Sequence, residues 1–153
     1  MNHQPINEMN GATTFGGFWI RVGAYFIDLV VLIIPVLLIS FLFLSVTPAA
    51  DEMEVAIVEI MDYILSSIVW WIYFAVLHSS KWQASIGKKA VGLKVVDENG
   101  NRISFGRATG RYFALFLSSL ILGIGYMMVG WTKKKQGLHD MIAGTLVIKA
   151  ENV

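Results

Sequence analysis

Residues 22–46, VGAYFIDLVVLIIPVLLISFLFLSV, form an apolar run broken by a single charge, Asp28. About 20 such residues cross a bilayer, and this run is longer than that. An Asp at the centre of an inserting helix costs about 3 kcal/mol, while each Leu, Ile, Val or Phe returns about 0.3 to 0.6 kcal/mol. The aliphatic residues therefore outweigh Asp28, and the run predicts a transmembrane helix. A signal peptide is the competing reading, because Pro48, Ala49 and Ala50 follow like a cleavage zone. The run is too long and begins too late for one, and residues 1–10 hold no Lys or Arg for a basic leader.

Composition points the same way. Of 153 residues, 56% are hydrophobic and 15% charged, with a mean hydropathy of +0.62; soluble domains carry roughly 25% charged residues. A chain of this length has limited interior in which to hide so much apolar surface from water. Disordered and nucleic-acid-binding classes are excluded, and a lipid bilayer is the expected partner. The absence of cysteine removes disulfides, thiolate metal sites and thiol nucleophiles together. The net charge of +1 carries no message.

A second run, 55–77, has Glu59 and Asp62 near its start, where an interface would lie, and then no charge from Tyr63 to Leu77. The connection between the two runs is acidic, Asp51-Glu52-Met53-Glu54. The next, 78–111, carries Lys81, Lys88, Lys89, Lys94, Arg102, Arg107 and Arg111. Lys and Arg mark cytoplasmic loops, so 78–111 and the N-terminus are expected inside and the 47–59 loop outside. Trp19, Trp70, Trp71, Trp82 and Trp131 suit interface anchoring and packing. The third run, 112–131, is long enough for one span, but a single crossing would export Lys133-Lys134-Lys135. The alternative is a re-entrant helical hairpin bending at Gly123-Ile124-Gly125, where glycine weakens a helix.

Residues 91–97 read as a strand, followed by an Asn99-Gly100 turn and a second strand over Arg102-Ile103-Ser104-Phe105. Residues 144–149 offer a third, β-branched strand. Its pairing needs both ends of the third run on one face of the membrane, which favours the hairpin arrangement. Residues 85–90 read either as a short interfacial helix or as a solvated basic loop, and 1–14 are expected to be disordered. The predicted fold is thus an α-helical polytopic membrane protein. It has two transmembrane helices, a third hydrophobic segment that spans or re-enters, and a small cytoplasmic β-hairpin or sheet within a domain of residues 15–150.

Charges inside such a protein are expensive and mark function. Arg21 and Asp28, seven residues apart, lie within about 20° of one helical face and about 10.5 Å apart along the axis. Each therefore needs a partner elsewhere, unless Arg21 merely anchors the helix by reaching the interface. Asp28 shares its face with Ala24 and with Pro35, which can kink the helix. Arg107 and Arg111, four residues apart at the start of the third run, are its candidate partners. Asp140, beside His139, is the second candidate carboxylate; its bland alternative is a cap on a short helix.

Three ordered stretches carry a resemblance: Arg21-Val22-Gly23-Ala24-Tyr25-Phe26-Ile27-Asp28, then 85–97 (SIGKKAVGLKVVD), then Gln136-Gly137-Leu138-His139-Asp140 with Met141-Ile142-Ala143-Gly144-Thr145. Together they resemble the RDD family of prokaryotic membrane proteins over about Phe18 to Lys149. Matched by motif, the family's arginine is Arg21 and its two aspartates are Asp28 and Asp140. Arg111 falls where the family tends to place an arginine before its last hydrophobic segment. The resemblance implies a small integral membrane module, with suggestions of ion or ligand transport and of partnership with other membrane proteins.

Two functions compete. In the first, Arg21, Asp28, Arg111 and Asp140 form a buried polar site for cation/proton or small-ligand transport, with Arg107, His139 and Asp62 secondary; two or three spans enclose no pathway, so transport requires a homo-oligomer or a partner. In the second, the same ion pairs fix helix register and the protein is a non-enzymatic accessory or regulatory partner of another membrane protein, its glycines and Ser118 and Ser119 suiting close helix contacts. Enzyme chemistry is not expected. His3, His78 and His139 lack metal-ligand spacing, no phosphate loop occurs, and no cofactor or metal is predicted.

Overall fold

The computed structural model describes residues 14–48, 51–120 and 123–150; the expected disorder over 1–14 lies, apart from Thr14, outside them. Helix α1, Phe18–Val46, is unbroken through Pro35. Helix α2, Glu52–Ser79, starts at Asp51, whose side chain accepts the Glu54 N–H at 2.8 Å, and Glu52 and Glu54 complement the positive end of the helix dipole. Both helices are long and apolar enough to cross a membrane.

Helix α3, Ile86–Ala90, is capped by the Ser85 hydroxyl, so residues 85–90 form a helix rather than a loop. Strand β1, Leu93–Asp97, follows, and then α4, Phe105–Leu120, α5, Ile124–Met127, a 3-10 turn at Met128–Gly130, α6, Leu138–Ala143, and strand β2, Thr145–Lys149. The two strands form one antiparallel sheet, with Val95 opposite Val147.

The expected hairpin is corrected here. Arg102 makes only an isolated bridge to Val96, and Phe105 already begins α4. The Asp97 carboxylate takes the backbone N–H groups of Asn99 and Asn101, and the Ser104 hydroxyl takes that of Arg107; these local bonds turn the chain out of the sheet and into a helix. The strand partner comes instead from residues 145–149, with Val95 and Val147 paired across 52 positions.

The sheet is buried on both faces. Leu93, Val95 and Val147 pack with Ala75, Ile103 and Ala108 against the helices, while Val96, Leu146 and Ile148 are covered by Phe15. Beside β2, Gly16 donates to the Val147 carbonyl and Lys149 to that of Thr14. The start of α1, the end of α2 and the C-terminal strand thus meet at one end of the helix pair.

The third hydrophobic run folds back on itself. Gly123 sits at φ +75°, a left-handed conformation natural to glycine. Beyond it, Tyr126 donates its hydroxyl to the Leu115 carbonyl at 2.7 Å, and a Cβ on Gly125 would meet the Ser118 side chain at 2.8 Å. Residues 123–127 therefore lie against α4, which brings α6 and β2 back to the sheet end.

Along the two long helices the distribution of polarity differs from that of a protein that folds in water. Along α1 only Ala24, Asp28 and Leu32 are buried, whereas Val30, Ile34, Leu37 and Phe41 are more than 60% exposed. Beside the apolar core around the sheet, the interior also holds Asp28, His78, Ser85, Arg111, Ser118, His139, Asp140 and Thr145.

Candidate functional site

Two buried carboxylates organise the sheet end of the molecule, and each is closed by a different kind of partner. Asp140 stands in the first turn of α6, where its Oδ2 accepts the Gly137 N–H at 3.1 Å. The capping role is real, but it is the smaller part. The same oxygen receives Arg21 Nη1 at 2.5 Å, while Oδ1 receives Arg111 Nε at 2.9 Å and Nη2 at 2.6 Å. One fully buried carboxylate thus holds guanidiniums from α1 and α4.

Arg21 is saturated. Its Nε bonds the Gly16 carbonyl at 2.8 Å and Nη2 the Lys135 carbonyl, so it ties α1 to the chain on both sides of it rather than reaching for solvent. Arg111 Nη1, by contrast, is buried with no hydrogen-bond partner. Gly144, left-handed at φ +59°, ends α6 and turns the chain into β2. Asp140 is thereby held at a fixed distance from the sheet.

Burial by itself would raise the Asp140 carboxyl, but Arg111, His139 and Arg21 beside it outweigh burial and hold it far below the ordinary carboxylate range. Burial lowers His139 to about 4, against the attraction of Asp140, whose Oδ1 is 3.5 Å from its Nε2. At neutral pH the histidine is uncharged, and the two arginines supply the counter-charge.

Asp28 is not paired with an arginine, contrary to expectation. Its Oδ1 accepts the Tyr73 hydroxyl at 2.6 Å and the Gly87 N–H at 2.7 Å, and Oδ2 accepts the Ser85 hydroxyl at 2.6 Å. These donors come from α2 and from the start of α3, which docks on α1 so closely that a Cβ on Gly87 would overlap the Ala24 carbonyl oxygen. Arg111 is committed to Asp140, and Arg107 lies half exposed, 3.8 Å from Asp97. The shared helical face of Arg107 and Arg111 says nothing of which carboxylate the fold brings to it.

The structure therefore gathers Arg21, Arg111, His139 and Asp140, sets Asp28 in a separate neutral cradle, and leaves Arg107 outside. Asp62 stands apart too, 16 residues and about 24 Å along α2 from His78; its Oδ1 is buried without a hydrogen-bond partner. Residue spacing did not flag Tyr73, His78 or Lys88. The SIG start of the second motif, Ser85 to Gly87, was the visible signal for the cradle, since Ser followed by a short helix is a cap pattern. Lys88 is half-buried, with Nζ 5.5 Å from the Phe74 ring. Burial and Arg111 lower it to about 7, Asp28 acting in the opposite sense. Among the described residues no three His, Asp or Glu side chains gather as a metal would need.

Comparison with known proteins agrees with this arrangement of motifs. The model of the RDD family matches residues 15–144. The Bacillus subtilis (strain 168) protein YxaI is 39% identical over 86% of this chain and 95% of its own length. YckC of the same organism is 29% identical over 88% of this chain and 84% of its own. A third relative there, named as the membrane protein YteJ, is 28% identical over 88% of this chain and 80% of its own. No solved structure matches. With a family match that takes in Arg21, Asp28, Arg111 and Asp140 together, the chain belongs to the RDD family.

Proposed function

We propose that the chain is a multi-pass membrane protein that works as a non-enzymatic accessory or regulatory module, in contact with further copies of itself or with another membrane protein. The membrane placement is supported by the surface of the long helices: α1 and α2 turn most of their apolar side chains outward and bury Asp28 and His78, an arrangement that water would penalise and lipid would not. The name of the relative YteJ agrees with it. In this reading α1 and α2 span, residues 112–131 form a re-entrant hairpin, and the sheet end is cytoplasmic with the 47–59 loop outside.

The observation that carries the accessory role is the engagement of both motif carboxylates by the protein's own donors. Asp140 is closed by two guanidiniums and a backbone N–H, Asp28 by two hydroxyls and a backbone N–H. Carboxylates held in this way fix geometry and offer little to a passing cation. Crosslinking in native membranes followed by purification tests the proposal. Recovery with a defined partner or as a defined oligomer is expected, and recovery only as a lone monomer overturns it.

Cation or proton transport by an oligomer is the second reading, favoured by the unpartnered Asp62 Oδ1 inside α2. An ionisable group without a partner in a spanning helix is a functional candidate by default. Antiport in everted vesicles should then be lost in Asp62→Asn at unchanged membrane yield; equal activity in the variant removes this reading.

A further inference from the structure

Beside the Arg21–Asp140–Arg111 cluster lies a cavity of about 630 Å³, walled mainly by α1, α2 and α4, with Lys88 of α3, Tyr126, Val129 and His139 of α6 completing the lining. Its size suits a drug-sized ligand or a lipid headgroup. Three cationic side chains line it, Arg21, Lys88 and Arg111, and no Asp or Glu does. Three lining residues also hold buried polar atoms without partners: Arg111 Nη1, His78 Nε2 and His139 Nδ1, on side chains at least nine-tenths buried. An unmet buried donor costs about 1 to 3 kcal/mol, more when charged, so the polar end is incomplete as it stands. The remaining wall is aromatic and aliphatic, and at its rim Tyr25, Phe26 and Phe116 are 53%, 60% and 47% exposed. The cavity thus offers cationic donors at depth and an oily exit.

We infer that this cavity holds the phosphodiester headgroup of an anionic glycerophospholipid, with the acyl chains leaving past Tyr25, Phe26 and Phe116 into the bilayer. The headgroup oxygens meet Arg111 Nη1 and the Lys88 ammonium, and an anion there also favours the charged form of a lysine that burial otherwise discourages. Basic pockets at the cytoplasmic side of helix bundles recognise anionic headgroups by this chemistry. The inference rests on the membrane placement proposed above.

Trp70 lines the cavity and reports on its occupant. The full chain is placed in phosphatidylcholine nanodiscs containing equal fractions of either dibrominated phosphatidylglycerol or dibrominated phosphatidylcholine, and tryptophan quenching is followed. The expected result is stronger quenching by the phosphatidylglycerol, with the selective part absent in Trp70→Phe. Lys88→Gln should need about fivefold more of that lipid for the same quenching. Lys88→Arg should keep the selectivity, and so should Lys89→Gln, whose ammonium sits over Trp82 outside the cavity. Equal quenching by the two lipids, selectivity that survives Trp70→Phe, or an effect of Lys89→Gln equal to that of Lys88→Gln overturns the site. Displacement of the selective quenching by millimolar inorganic phosphate overturns the lipid assignment in favour of a free oxyanion. Should Lys88→Gln not fold, Lys88→Arg and Trp70→Phe decide the matter. A chain that does not enter nanodiscs at all overturns the membrane placement along with this inference; one that enters without selectivity overturns this inference alone.

Discussion

Asp140 is the residue on which the sheet end depends. It is fully buried, and it is the ion-pair partner of both Arg21 and Arg111. Removing one member of a buried ionic group leaves uncompensated charge, at a cost of about 3 to 5 kcal/mol. Asp140→Asn should therefore lose about that much stability in a denaturant titration in mild detergent, while Arg107→Gln, acting at an exposed pair, should lose less than about 1 kcal/mol. His139 sets a pH window. Its folded value of about 4 lies below the ordinary 6.5, so the unfolded chain binds the proton first. That contribution is complete above pH 6.5 and is lost as pH falls from 6.5 towards 4. A thermal-melting series should decline through that window in the parent chain and decline less steeply in His139→Gln. Protonation of Asp140 removes the arginine pairing only at still lower pH.

Among the elements, α3 does the most with the least chain. Its five residues carry Gly87, whose N–H reaches Asp28 because no side chain separates it from the α1 backbone. Gly87→Ala should force α3 away from Ala24 and break that bond, costing about 2 to 4 kcal/mol in the same titration. Gly110→Ala serves as the comparison. A Cβ there meets nothing within 4 Å, and glycine inside α4 weakens the helix, so a gain of about 0.5 to 1 kcal/mol is expected. Equal losses in the two variants would remove the account of α3 docking. The α4 to α5 reversal has the same logic on a longer scale: Gly123 supplies the turn and Gly125 the close approach, and together they return the chain to the sheet.

At the scale of the whole molecule, the sheet gathers residues 14–16, 93–97 and 145–149 at one end of α1 and α2. Its sidedness is open to a clean experiment, because the chain has no native cysteine to label. Single cysteines at Lys134 and at Glu52 should behave oppositely toward an impermeant maleimide added to whole cells. Glu52→Cys should react from outside and Lys134→Cys only after permeabilisation, and reaction of Lys134→Cys in intact cells would reject the re-entrant topology.

The long apolar runs, their acidic and basic connections, the flagged charges and the bend at Gly123 were all legible in the order of residues, because each depends on composition or on spacing within one segment. Partnership was not. Helical spacing put Arg21 and Asp28 on one face and offered Arg107 and Arg111 as partners for Asp28; the fold gave Arg21 to Asp140, 119 positions away, and Asp28 to Tyr73, Ser85 and Gly87. The Asn99-Gly100 turn suggested a local hairpin, yet the long-range pairing of β1 with β2 prevailed because it buries Leu93, Val95, Val147 and Ile148 on a two-sided sheet, to which the short segment after the turn adds only Ile103. Sequence by itself determined which residues are too polar for their surroundings. Only the tertiary structure decided which of them neutralise one another, since a buried charge is satisfied by whatever donor the packing of distant segments brings within hydrogen-bond reach.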